Sequence, residues 1–251
     1  MSRRFDLVCI GRAAVDLYGE QIGATLQEVS TFARYLGGSP ANTAVGCARL
    51  GLRPAMLARV GDEQNGEFVR NELARAGVDV SHVIADPTHL TALVFLSIRD
   101  EHSFPLLFYR DRCADMALTV DDIDESLIAS SRSLLISGTH LSSESTRAAC
   151  RKAIAAAVKA GTQVVLDIDF RPVLWGLRPL GDGATRYVES AAVTEVLREF
   201  LPSCHLIVGT EEEFAIAGGF ERVAEAIDDV RHRTQATLVV KRGADGCTVF
   251  P

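Results

Sequence analysis

The chain of 251 residues is 47% hydrophobic and 24% charged, with a formal net charge of −7. That composition suits one large α/β domain, and its acidity argues against general nucleic-acid binding. Apolar runs such as 134–136 and 164–166 are too short to span a bilayer, and the segment behind Arg3 and Arg4 has no signal-peptide cleavage site, so a cytoplasmic protein is expected.

Strand-like and helical stretches alternate along the chain. Residues 5–11 read as a buried strand, 40–50 as a helix, 54–60 as a strand and 67–76 as an amphipathic helix ended by Gly77. Then come strand 134–137, helix 144–160 ended by Gly161, strand 163–168, helix 185–200 and strand 205–208. Helices 211–217 and 222–234 and strand 237–241 complete the series. Strand and helix in alternation, with glycine closing helices, predict parallel strands joined by right-handed crossovers.

Two regions break this rhythm. Residues 17–36 are mixed and polar with short extended potential, and 91–99 and 103–110 read as two strands joined by a turn at 100–102. They predict a small β-lid, from about 17–36 and 91–112, over one end of the main sheet within a single domain of residues 1–251. Residues 176–184 read as a Gly/Pro loop rather than a domain linker. The six cysteines (Cys9, Cys47, Cys113, Cys150, Cys204 and Cys247) form no CxxC and no Cys/His cluster, which predicts mostly buried free thiols.

The most informative segment is Gly37-Gly38-Ser39-Pro40-Ala41-Asn42. Two glycines permit close backbone approach, Pro40 suits a first helical turn, and Asn42 offers an amide at the helix mouth. Alone this is either a well-capped turn or a ligand cradle. Asp16, at the C-terminal edge of the predicted sheet, can accept hydrogen bonds from adjacent hydroxyls. Arg110 and Arg171, each at a strand end, form either surface salt bridges or a bidentate grip on a carboxylate. Glu211, Glu212 and Glu213 open a helix, where the macrodipole favours them and where a hard cation can find carboxylate oxygen. Lys241 precedes Gly243-Ala244-Asp245-Gly246, a turn after the last predicted strand. Neither G-x-G-x-x-G after the first strand nor G-x-x-x-x-G-K-[ST] occurs, which disfavours a Rossmann dehydrogenase.

These segments together resemble the ribokinase-like (PfkB) carbohydrate kinases over the whole chain. The resemblance implies a three-layer α/β/α fold with a mostly parallel central sheet and the β-lid. It implies that Asp16, Gly37, Gly38 and Asn42 bind a sugar, and that Lys241, Gly243 and Gly246 belong to the nucleotide loop. Gly209 replaces the Asn of the family's Asn-x-x-Glu motif, so only Glu212 is carried over, as an indirect Mg²⁺ contact through water, with Glu213 as the register alternative. The segment 169–175 is similar to the pattern of members that act on acidic sugars, with Asp169 in place of Asn, and Arg110 matches the lid arginine of the 2-keto-3-deoxygluconate kinases. Phe108 stands where those enzymes tend to carry a tyrosine. The implied activity is ATP- and Mg²⁺-dependent phosphorylation of the terminal hydroxyl of a small acidic sugar, as in myo-inositol breakdown. Arg110 and Arg171 would hold its acidic end. A monovalent cation and a homodimer through the lid are compatible with the resemblance.

No Gly-x-Gly-Asp segment, the family's source of anion hole and catalytic Asp, occurs before Pro251. The expectation is a C-terminally truncated chain that binds better than it transforms, poorly soluble where apolar sheet surface is uncovered. Its alternative in another class is a non-catalytic sugar-binding remnant.

Overall fold

The computed structural model describes residues 3–100 and 103–251, so the predicted turn at 100–102 falls largely outside the described residues. In chain order the elements are β1 (Phe5–Ile10), β2 (Ala14–Gly19), β3 (Phe32–Gly37), α1 (Ser39–Arg49), β4 (Pro54–Gly61), α2 (Gln64–Arg75) and β5 (Asp79–Asp86). Next are β6 (Leu93–Leu96), β7 (Leu106–Tyr109), α3 (Glu125–Ala129), β8 (Ser131–Ser137), α4 (Glu144–Ala160), β9 (Gln163–Asp167) and α5 (Ala191–Phe200). The series ends with β10 (Leu206–Thr210), α6 (Glu211–Gly218), α7 (Val223–Arg233), β11 (Thr237–Lys241) and β12 (Cys247–Phe250).

The main sheet has the order β12-β11-β10-β9-β8-β1-β4-β5, parallel throughout except for antiparallel β12. β1 shows why such a sheet must be covered on both faces. Val8 and Ile10 enter one core with α4 residues such as Ala153, whereas Leu7 and Cys9 enter another with Ala44 of α1 and Val69 of α2. Alternate side chains point to opposite faces, so the apolar run from Leu7 to Ile10 has to be sandwiched between helices. The predicted three-layer ribokinase-like α/β/α architecture is therefore present.

The second sheet is small, in the order β3-β2-β6-β7, and corresponds to the expected lid. It starts earlier than the predicted residue 17, because β2 begins at Ala14 and Asp16 lies within it, opposite Tyr35 of β3 and Val94 of β6.

Local chemistry sets the helix ends. Ser143 caps α4, and Gly161 closes it at φ 63°, as predicted. The predicted helix 185–200 is shorter than expected. α5 starts only at Ala191, because Ser190 is the cap that accepts a hydrogen bond from Val193 N–H, and the preceding loop packs Gly183 against the Leu106 carbonyl of β7. Strands β5 and β12 are additions to the predicted series: both are edge strands, only partly buried, and lack the continuous apolar run of central strands. Cys9, Cys113, Cys150 and Cys204 are buried free thiols as expected, while Cys47 is half-buried and Cys247 exposed. Among the described residues no helix is long and apolar enough to cross a membrane.

Candidate functional site

A cleft of about 940 Å³ runs along the C-terminal ends of the parallel strands and under the small sheet. Crevices at that edge are where open α/β sheets bind ligands, because loops and helix N-termini converge there. Seven of the residues predicted from sequence line it: Asp16, Gly38, Asn42, Arg171, Glu212, Lys241 and Gly243. Val94, Leu96, Leu106 and Phe108 of the small sheet form its apolar wall.

At one end the two glycines have a structural role that the sequence alone left open. A Cβ on Gly37 would collide with the carboxylate of Asp16, and one on Gly38, whose φ is 99°, with the Arg12 carbonyl. The chain thus crosses tightly where β3 enters α1, with Asp16 and Asn42 facing the same space. Gly37 does not itself line the cleft. Burial raises the pKa of Asp16, against the lowering influence of the Arg12 charge.

The middle of the cleft is acidic. Asp167 accepts a short hydrogen bond from Ser39 Oγ, and Lys241 Nζ lies 3.6 Å from its other oxygen. Burial, then the negative charge of Asp169, raises the pKa of Asp167. Asp169 is held by Ser137 Oγ at 2.9 Å and Thr139 Oγ1 at 3.1 Å and has φ 36°. Asn and Asp are the non-glycine residues that best tolerate this left-handed conformation, so Asp can stand where the resembled pattern has Asn.

At the far end Glu212 is exposed to the cleft. Glu213 is not equivalent to it. Its Oε2 accepts from Thr210 N–H at 2.7 Å and closes a capping box at the start of α6, where burial raises its pKa. Lys241 Nζ stands 3.9 Å from the same oxygen. Gly246 does not line the cleft. Its φ of 83° and the 2.8 Å hydrogen bond from Arg242 N–H to its carbonyl turn the chain back into β12.

The two predicted arginines are not brought together. Arg171 lines the cleft at the start of a 3₁₀ turn, Pro172–Trp175. Arg110 does not line it. It is buried, and its Nε donates to Asp115 Oδ2 at 2.6 Å, a partner only five residues away. Sequence reasoning also missed Arg12, Asp167 and Arg186, all of which line the cleft. Arg12 left one usable signal, a lone charge between Gly11 and Ala13 in an otherwise small and apolar run.

Comparison with known proteins identifies the family and the fold. The pattern of the pfkB family carbohydrate kinases matches residues 4–251, and the chain belongs to that family. It is a sugar kinase of the PfkB type. The chain is 34% identical over 254 residues to the 5-dehydro-2-deoxygluconokinase of Shouchella clausii, covering 99% of this chain and 73% of that protein. It is 35% identical over 250 residues to the enzyme of the same name from Geobacillus kaustophilus, covering 98% and 71%. Among solved structures, a PfkB protein from Polaromonas sp. JS666 superposes with a TM-score of 0.84 at 27% identity, covering 98% of this chain and 79% of that one. The fructokinase of Vibrio cholerae O395, solved with fructose, ADP and calcium bound, gives 0.80 at 25% identity, covering 98% and 73%.

Proposed function

We propose that this chain takes part in transfer of the γ-phosphoryl group of ATP to the terminal (C6) hydroxyl of 5-dehydro-2-deoxy-D-gluconate, a step of myo-inositol breakdown. The observation that carries the reading is the division of one cleft. Hydroxyl-reading groups, Asp16 and Asn42, stand at the β1 and α1 end, and Lys241, Glu212 and Gly243 at the β10 and β11 end. The relatives of that name, matched over nearly the whole chain, support the substrate.

Asp16 would accept two sugar hydroxyls, and Asn42 would read a third through its amide. Arg171 would face the acidic end, and Lys241 the nucleotide phosphates. Gly37, Gly38, Gly243 and Gly246 would hold the backbone turns that frame the two ligands. Among the described residues no three His, Cys, Asp or Glu side chains gather to hold a bare metal ion. Glu212 and Asp167 nonetheless supply the hard oxygen donors that suit Mg²⁺ carried mostly by phosphate and water. When bound, Mg²⁺ neutralises phosphate charge.

Phosphoryl transfer from ATP, measured side by side with the sugar acid, 2-keto-3-deoxygluconate and fructose in a form that carries the family's Gly-x-Gly-Asp segment, tests the proposal. The expected result is a preference in kcat/KM of at least about 100-fold for 5-dehydro-2-deoxygluconate over fructose, with Asp16→Asn reducing turnover of both. Equal or better use of fructose would overturn the acidic-substrate reading.

A further inference from the structure

Arg12 is a buried cationic group at the sugar end of the cleft. It is 7% exposed, and Nε is buried without a hydrogen-bond partner among the described residues. It forms no ion pair among the described residues, although Asp16, Asp115 and Asp169 are close enough for their charges to be felt. The neighbouring charge of Arg110 opposes it. Its nearest specific contact is the ring of Phe108, 5.7 Å from the guanidinium carbon. Arg110, by contrast, is already committed to Asp115. A buried guanidinium without a carboxylate is costly, and a bound anion that fills its fork of donors would offset that cost.

We propose that Arg12 is a specificity-determining residue that grips the carboxylate of the sugar acid, in the place that sequence reasoning assigned to Arg110. This rests on the acidic-sugar reading given above. Position favours the sugar carboxylate over a nucleotide phosphate as the anion. Arg12 follows β1, four strands from β11 and Lys241 in the sheet order, a separation of about 19 Å at ordinary strand spacing. It lies instead four residues from Asp16, and its carbonyl is pressed against Gly38. That contact fixes the backbone from which the guanidinium reaches the cleft, as a recognition group requires. A neutral sugar would leave the buried Nε donor without an ionised acceptor, so the same residue both attracts the acid and rejects its uncharged analogues.

Calorimetric titration of the 251-residue chain tests this without relying on turnover. The ligands are 5-dehydro-2-deoxygluconate, its neutral analogue with a hydroxymethyl group in place of the carboxylate, and ADP. Arg12→Gln should weaken the acid by about 100-fold and leave the neutral analogue and ADP within about 3-fold. Arg12→Lys keeps the charge but not the fork, and should lose about 10-fold on the acid alone, which preserves the test if the glutamine variant fails to fold. If wild type prefers the acid and both variants keep that preference, the assignment to Arg12 falls while the acidic-sugar reading stands. If wild type binds both sugars equally, the two fall together. A loss confined to ADP would place a phosphate, not the sugar, on Arg12 and overturn the proposal.

Discussion

His140 is fully buried behind the sugar end of the cleft, with Nε2 3.2 Å from the Asp115 carbonyl and Nδ1 without a partner among the described residues. Burial, then the positive charge of Arg110, pushes its pKa from the ordinary 6.5 down to about 4, so it is neutral in the folded state at pH 7. An unfolded chain takes up this proton below pH 6.5, whereas the folded one does so only near pH 4. Stability is therefore complete above the unfolded pKa and is lost as pH falls toward the folded one, at up to about 1.4 kcal/mol per pH unit and about 3 kcal/mol in all. The raised carboxyl groups of Asp16, Asp167 and Glu213 act with the opposite sign as pH falls. The informative quantity is thus the difference between wild type and His140→Gln in urea unfolding at about pH 7, 5.5 and 4.5, which spans that window. The variant should lose less stability on acidification; parallel curves would show that His140 titrates normally.

At the scale of elements, two glycines that look alike in sequence have opposite roles. Gly138 follows β8, and a Cβ there would strike the Ile168 carbonyl behind β9, between the Ser137 and Thr139 hydroxyls that hold Asp169. Gly46 lies inside α1, and among the described residues a methyl group in place of its hydrogen would meet nothing within 4 Å. Gly138→Ala should cost about 2–3 kcal/mol through forced separation of two central strands. Gly46→Ala should add about 0.5–1 kcal/mol by reducing the freedom of the unfolded chain. Thermal unfolding of the pair reads both, and a neutral Gly138→Ala would contradict the tight crossing. The capping box at α6 belongs to this scale too. Thr210 and Glu213 satisfy each other's backbone N–H groups, which leaves Glu212 as the freer of the two glutamates at the cleft.

For the whole molecule, the cleft is walled on one side by the main sheet and on the other by β6 and β7 of the small one. The small sheet has a core of its own, Val94, Phe108 and Val173, and that core is slight beside the two that flank the main sheet. Few buried apolar contacts mean low local stability. A ligand held between the sheets should slow amide hydrogen exchange in β6 and β7 at least about 10-fold while leaving β1 and β8 unchanged. Uniform protection over both sheets would mean that the small sheet is already as firmly held as the core.

Much of this protein was legible along the chain because its signals are local. The apolar runs of β1, β8 and β9 announce strands buried on both faces, Gly161 ends α4, and the Gly37-Gly38-Ser39-Pro40 turn announces the start of α1. Edge strands β5 and β12 escaped because a half-buried strand needs no continuous apolar pattern. Side-chain partnership was not legible. Which arginine meets Asp115 and which is left open toward the cleft depends on groups brought together from β1, β7, β8 and β9. Sequence alone determined most of the order of elements, through periodicity and capping within a few residues, and pointed to the family through the resemblance of its motifs. Tertiary structure alone decided that Arg110 is spent on Asp115 while Arg12 forms no ion pair among the described residues, because a buried charge is matched by whatever lies within a few ångströms in space, however far apart in sequence.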